Sequence, residues 1–476
     1  MEGFGLSTRG AANVAAIWPR ISKAVEEREQ LENPVIDMGT SENMLLRDEL
    51  IGVYKNAVQD GLCSKHLSYP NGFTGDQDLI DALAGFFNEH FQPLVPVDKQ
   101  HIVVAPGVAF SLDALLYNIC EAGDGILIPA PCWSGFDWLV NVRSGVHPVF
   151  ASVANLKDVF VSSEVLTSLE TAFSQSPHPI KGLLFTNPHN PLGRCYSAEI
   201  IESVIRFCDK KKIHFISDEI YGMSKFNCSD IPAPTAFVSA LQLNIKGIGC
   251  DPSRVHVIWG LSKDLGSNGL RMGCCVTQAN KPLATGLALS SNTQLSSLTA
   301  LVTTSLLTSP TLPQLFALNS ERLAEAYSSL TEWLKQREIP YVPANMGCFV
   351  FAQVAPKANT WEDEATVIQA WKNAACPRAS SNEDNKPSNG RRTLFPYMHT
   401  EARVIPFISQ SVKSIDLVTK TLSPNIIKVV VDDHMDPFHR DKVIIDALKQ
   451  FNIEIVDWSK PDLCPENIGA ACKDRM

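Results

Sequence analysis

The chain has 476 residues, with 41 Lys and Arg against 51 Asp and Glu, for a formal net charge of −10. At about 100–200 residues per domain this length allows two to four domains and a sizeable core, and an apolar fraction of 45% with 19% charged residues is ordinary for a globular protein. The acidic balance argues against bulk affinity for nucleic acid or for an anionic membrane, either of which needs a concentrated basic surface.

Residues 1–30 have no cationic start running into an apolar core. Glu2 comes early and Arg9, Arg20 and Lys23 are scattered, so no secretory leader is expected. Apolar runs such as Ile102–Phe110 fall short of the roughly 20 residues that span a bilayer. Thirteen cysteines form no framework spacing, and Cys208, Cys250, Cys274 and Cys275 lie in or beside apolar stretches. They read as buried thiols of a reducing, cytoplasmic compartment.

From about residue 45 to 280, short apolar runs alternate with helical patterns. The predicted strands are Ile102–Ala105, Gly125–Pro129, Leu183–Thr186, Ile213–Ser217, Val255–Trp259 and Gly273–Val276. Most are continuously apolar rather than alternating, as in a parallel sheet covered on both faces. Between two of them Ile200, Ile201, Val204, Ile205 and Cys208 recur at helical spacing, with Ser197 as N-cap, acids early and Lys210–Lys212 late. Strand, helix and strand in that order predict a βαβ unit, and the fold class is α/β. A long helix is predicted over Gln314–Glu338, leading into a smaller α+β domain that opens with Tyr341–Gln353. The expected division is an arm over 1–45, a large domain over 46–320 and a small domain over 321–476. Pro377–Arg392 reads as a polar, flexible loop, and no motif is recognisable after it. His434 and His439 are separated by Pro437, which argues for a surface loop and against a metal pair.

Five features fall at the carboxyl ends of predicted strands, where open α/β sheets bind ligands. Gly107 lies between a strand and a helical pattern, and Trp133 follows Pro129-Ala-Pro-Cys. Asn187-Pro-His-Asn-Pro-Leu-Gly193 follows a third strand, and Asp218 stands in Ser-Asp-Glu-Ile-Tyr221. Lys263 sits in Trp259-Gly-Leu-Ser-Lys-Asp-Leu-Gly266, with Arg271 eight residues on. A lone lysine at a strand end is ordinarily a solvated amine; the other four features make it a catalytic candidate.

In this combination the chain resembles the fold type I pyridoxal-phosphate enzymes of the class I/II aminotransferase superfamily, over about Leu6–Ala375. Within it the chain is most similar to the branch of 1-aminocyclopropane-1-carboxylate synthases and their fungal relatives. Gly39-Thr-Ser-Glu-Asn43 and Tyr69-Pro-Asn-Gly-Phe-Thr-Gly75 match that branch more weakly. The resemblance implies a seven-stranded, mostly parallel sheet and pyridoxal 5′-phosphate as cofactor. It implies that Lys263, next to Ser262, carries the cofactor aldehyde as a Schiff base and, once displaced, moves the substrate Cα proton. Asp218 would hold the pyridinium charge that makes the ring an electron sink for the quinonoid, while Tyr221 and Asn190 would bond the ring oxygen. The phosphate would lie on the N–H groups of Gly107, Val108 and Ala109 at a helix start, with Arg271 as fixed cation. Trp133 would stack on the ring. Tyr69 would reach the phosphate of a second subunit, implying a homodimer.

Two departures from the family pattern stand out. Gly260 replaces the usual Ser or Thr three residues before the lysine, and no Gly-Trp-x-Arg-like string follows Ala375 to clamp a substrate carboxylate. Arg391, Arg392 and Arg403 are the nearest arginines. The expected function is an aminotransferase acting on an amino acid, with secondary metabolism a guess at the level of resemblance. The alternatives are a carbon–sulfur lyase, a cyclopropane-forming synthase-like lyase, or an impaired descendant of such enzymes.

Overall fold

In the computed structural model, residues 5–29, 35–37, 41–353, 393–395 and 404–406 are described. The chain begins with α1 (Thr8–Glu29), β1 (Val35–Asp37), α2 (Arg47–Gly61) and α3 (Gln77–Phe86). An α/β stretch follows: β2 (Ile102–Ala105), α4 (Val108–Ile119), β3 (Gly125–Ala130), α5 (Phe136–Val142), β4 (His147–Ser152), α6 (Ser162–Gln175), β5 (Ile180–Thr186), α7 (Ala198–Lys211) and β6 (His214–Asp218). A long connection leads to β7 (Val255–Gly260), α8 (Leu261–Asp264), β8 (Gly273–Val276), α9 (Lys281–Ser291), α10 (Ser297–Leu307) and α11 (Leu312–Gln336). The last described elements are β9 (Tyr341–Val342), β10 (Phe349–Ala352), β11 (Thr393–Phe395) and β12 (Val404–Pro406).

Seven strands form one sheet in the order β2-β8-β7-β6-β5-β3-β4. All neighbours are parallel except β8, which runs antiparallel to both β2 and β7. The six expected strands are all present. Their unbroken apolar character has a direct cause: successive side chains enter two different cores. Leu183 and Phe185, Phe215, Val257 and Trp259, and Cys274 and Val276 pack into one cluster. Leu184, Ile216, Ile258 and Cys275 pack into the other, with α4, α5 and α9. Period-2 alternation thus persists while both faces stay dry. The four cysteines read as buried thiols are indeed buried.

α7 begins at Ser197, whose Oγ accepts from Ile200 N at 3.4 Å, and ends with Lys210 and Lys211 in its last turn. β4 was not among the expected strands. It is an edge strand with mostly half-exposed side chains and opens His147-Pro148, so neither continuous apolarity nor clean alternation marks it. A third cluster joins α11 to β10 through Leu323, Tyr327, Leu330 and Leu334 against Phe349, Val350 and Ala352. β10 lies between β9 and β12 in an antiparallel sheet, and β1 pairs with β11 in parallel. The polar run 377–392, Arg391, Arg392 and Arg403, and the two histidines flanking Pro437 lie outside the described residues. No helix among the described residues is long and apolar enough to cross a membrane.

Candidate active site

β2, β3, β5, β6 and β7 end on one edge of the sheet, and antiparallel β8 starts there. That polarity brings the five sequence features to one rim. Gly107 precedes α4 at φ 91°, a region suited to glycine. A Cβ on Gly107 would lie 2.2 Å from Nη2 of Arg271, so the guanidinium rests directly on the backbone from which α4 starts. Arg271 is itself held by donating from Nη1 to Asn268 O (2.8 Å) and from Nη2 to Pro106 O (3.3 Å). The first-turn N–H groups of α4, Val108 and Ala109 among them, have no partner within the helix. Together with Arg271 they form a cradle with the donor chemistry of an anion site.

The glycine three residues before the lysine is explained by this cradle. A Cβ on Gly260 would meet Met272 O at 2.6 Å and Gly273 Cα at 3.0 Å. One on Gly273 would meet Gly107 C and Val108 N, both at 2.4 Å. β7, β8 and the start of α4 therefore approach more closely than side chains would permit. Gly273→Ala must push the Gly107–Val108 peptide aside. We expect a loss of about 1–3 kcal/mol in urea-induced unfolding relative to the unchanged protein.

Asp218 ends β6, and Lys263 lies in α8, just beyond the end of the paired strand β7. Asp218 is buried, and its carboxylate accepts one bond from Ile220 N at 3.3 Å. Burial pushes its pKa up to about 7, against smaller opposing effects from that bond and from the Lys263 charge. Lys263 is half-buried as a residue, but its amine is enclosed and donates to Ser41 O at 2.7 Å. Desolvation lowers its pKa, opposed by Cys348, Glu42 and Asp218. Tyr221, fully buried against the Phe349 ring at 5.1 Å, is pushed well above the usual phenol range by burial, with the nearby Ser41 side chain acting the other way. Ser41 belongs to the weakly matching Gly39–Asn43 string, and the structure seats it on both residues.

Asn190 is half-buried in the turn after β5. Asn187 and His189 hold that turn: Asn187 donates to Val238 O (3.0 Å) and accepts from Tyr196 N (3.0 Å). His189 accepts from Leu192 N at 3.2 Å, and burial lowers its pKa to about 3, so it stays neutral. Gly193 O then accepts from Asn345 N and Met346 N, docking the segment before β10 onto the rim. Ser262 is half-buried beside Lys263. Trp133 is 41% exposed and packs edge-on to Phe136 at 5.2 Å. Tyr69 is 82% exposed, near exposed Leu67 and Phe73 in the chain.

At this rim two further carboxylates, given no role from sequence, are buried. Glu219 reads as unremarkable by spacing, yet it is fully buried. It accepts from Ser217 Oγ (2.8 Å), Ser239 Oγ (2.6 Å) and Ala240 N (2.9 Å). Asp264 is fully buried behind Lys263. Nothing in a strand-end string distinguishes such acids from solvated ones, because Ser239 and Ala240 for one, and Met223 and Ser224 for the other, are remote in sequence.

A sheet of this topology with a buried amine and carboxylate at its carboxyl rim defines an α/β enzyme scaffold with a composite site. The family model for aminotransferase class I and II matches residues 33–402, and the chain belongs to that family. It is 52% identical over 389 residues to a protein of Aspergillus oryzae named probable aminotransferase aclI, covering 81% of this chain and 92% of the relative. It is 38% identical over 369 residues to probable aminotransferase sirI of Leptosphaeria maculans, covering 77% and 88%. In fold it resembles an aspartate aminotransferase of Thermus thermophilus with a TM-score of 0.61, at 19% identity and covering 77% and 90% of the two chains.

Proposed function

We propose that this chain is a pyridoxal 5′-phosphate-dependent aminotransferase acting on a small-molecule amino acid, with Lys263 as the amine that holds the cofactor. The observation that carries this reading is the pairing of two buried opposites at adjacent strand ends. Among the described residues Asp218 is a buried carboxylate with a single long bond, and Lys263 is an enclosed amine. A carboxylate so poorly satisfied suits a cationic ligand edge, and the cradle of Gly107, Val108, Ala109 and Arg271 suits a phosphate. Bound there, the cofactor would supply an electron sink for the pair left at the substrate Cα.

The protein's own groups divide the remaining work. Asp218 would hold the positive charge of the cofactor ring, Tyr221 and Asn190 would bond its ring oxygen, Trp133 would stack on it, and Ser262 would bind it beside the lysine. Lys263, with its pKa lowered by burial, is neutral at a lower pH than an exposed lysine and is suited to move the Cα proton. Tyr69, exposed beside exposed apolar residues, supports a homodimer in which it completes the partner's site. A cytoplasmic location and a place in fungal secondary metabolism belong to the same proposal; the names of the relatives support the transfer chemistry.

The test is to load the purified protein with pyridoxal 5′-phosphate and add single amino acids without a keto acid. Stoichiometric keto acid together with conversion of the cofactor to its amine form is the expected result. Continuous ammonia or thiol release with the cofactor returning to its aldehyde form would replace the aminotransferase reading with elimination.

A further inference from the structure

We propose that Asp264 is a positioning residue that fixes Lys263 against the Asp218–Tyr221 turn. The inference rests on the reading of Lys263 given above. α8 spans only Leu261–Asp264, too short to hold its own geometry by helix formation. The lysine must therefore be placed from outside, and Asp264 supplies the attachment. Its Oδ2 accepts from Met223 N (3.0 Å) and from Trp259 Nε1 (2.8 Å), and its Oδ1 accepts from Ser224 Oγ (2.5 Å).

These donors come from two places. Trp259 stands in β7, locked among Phe86, Phe87 and Phe91 with ring centroids 4.5–6.2 Å away. Met223 and Ser224 close the turn that carries Tyr221: Gly222 N donates to Glu219 O and Ser224 N to Tyr221 O. One carboxylate thus ties the end of β7 to the turn beyond β6, across the gap that Lys263 and Tyr221 share. Asp264 acts on the lysine by placement, through the bonds that fix its own carboxylate to Trp259, Met223 and Ser224.

An amide can make the same three contacts. In Asp264→Asn the carbonyl oxygen takes the two N–H donors, and the NH₂ donates to Ser224 Oγ, which also accepts. Asp264→Ala strands all three donors. The experiment compares D264N, D264A and S224A in the full chain. It measures kcat and KM of the loaded enzyme, and the pH dependence of amine-reagent labelling at Lys263 in cofactor-free protein.

For D264A we expect kcat to fall about 10²-fold with KM little changed, and the Lys263 titration to move up toward that of an exposed lysine. D264N should keep kcat to within about tenfold and keep the lysine titration of the unchanged protein. S224A should move both readouts in the direction of D264A, by less. If D264A does not fold, S224A decides: an unchanged lysine titration there overturns the proposal. It is equally overturned if D264A lowers only the melting temperature, or if D264N is as impaired as D264A. A protein that takes no cofactor at all would instead refute the functional reading, while the labelling experiment still judges the placement.

Discussion

Lys263→Ala is expected to remove amino-group transfer altogether. In the role proposed for Lys263 the variant would lose both the covalent attachment for the cofactor and the proton carrier at Cα, and positioned proton transfer alone contributes about 10²–10⁴-fold. Stopped-flow absorbance of the loaded variant with an amino acid should show no enzyme-driven conversion of the cofactor, and steady-state assays no keto acid. Added small amines should restore a fraction of the rate, because two neighbours of the missing side chain keep their own supports: Asp218 accepts from Ile220 N, and Tyr221 packs on the Phe349 ring. The pH dependence of that rescue carries the sign of the environment. Burial lowers the pKa of the native lysine, so the native activity should extend to lower pH than the amine-rescued activity, which follows the solution pKa of the added amine. Wild-type turnover in the alanine variant would remove Lys263 from its role.

The strand ends were legible in the sequence because each carries chemistry after an apolar run. Ile213–Ser217 followed by Asp218, and Val255–Trp259 followed within a few residues by Lys263, put the acid and the amine on one rim once the strands are parallel neighbours. β4 was not legible, since an edge strand half-open to water has neither of the two patterns that reveal strands. The roles of Glu219 and Asp264 were invisible for a different reason. Each is satisfied by donors remote in sequence, Ser239 and Ala240 for one and Met223 and Ser224 for the other. Gly260 looked like a lost hydroxyl. In three dimensions it belongs with Gly107 and Gly273 to a backbone crossing that leaves no room for a Cβ, so the departure at that position is a packing requirement of this particular cradle.

Asp218→Asn should separate the needs of the empty protein from those of the working enzyme. In the cofactor-free chain a buried carboxylate with one 3.3 Å bond is costly to ionise, and its pKa stands at about 7 against an ordinary 3.8. The folded state then holds a proton that the unfolded chain releases between those two values. The stability linked to this group is complete at low pH, declines as pH rises from about 4 to about 7, and is level above. The amide pays no such penalty, so empty D218N should be more stable than the unchanged protein at neutral pH, by a margin that vanishes toward pH 4. Loading reverses the order. With a cationic ring edge beside it the carboxylate becomes the favoured form, and D218N should bind pyridoxal 5′-phosphate more weakly and lose about 10²–10³-fold in kcat, the range typical of removing a preorganised electrostatic group. Thermal unfolding of both proteins, empty and loaded, across pH 4–8 measures the crossover. If D218N and the unchanged protein keep the same order of stability in both states, Asp218 does not face a cation, and the assignment of the ring to this pocket fails with it.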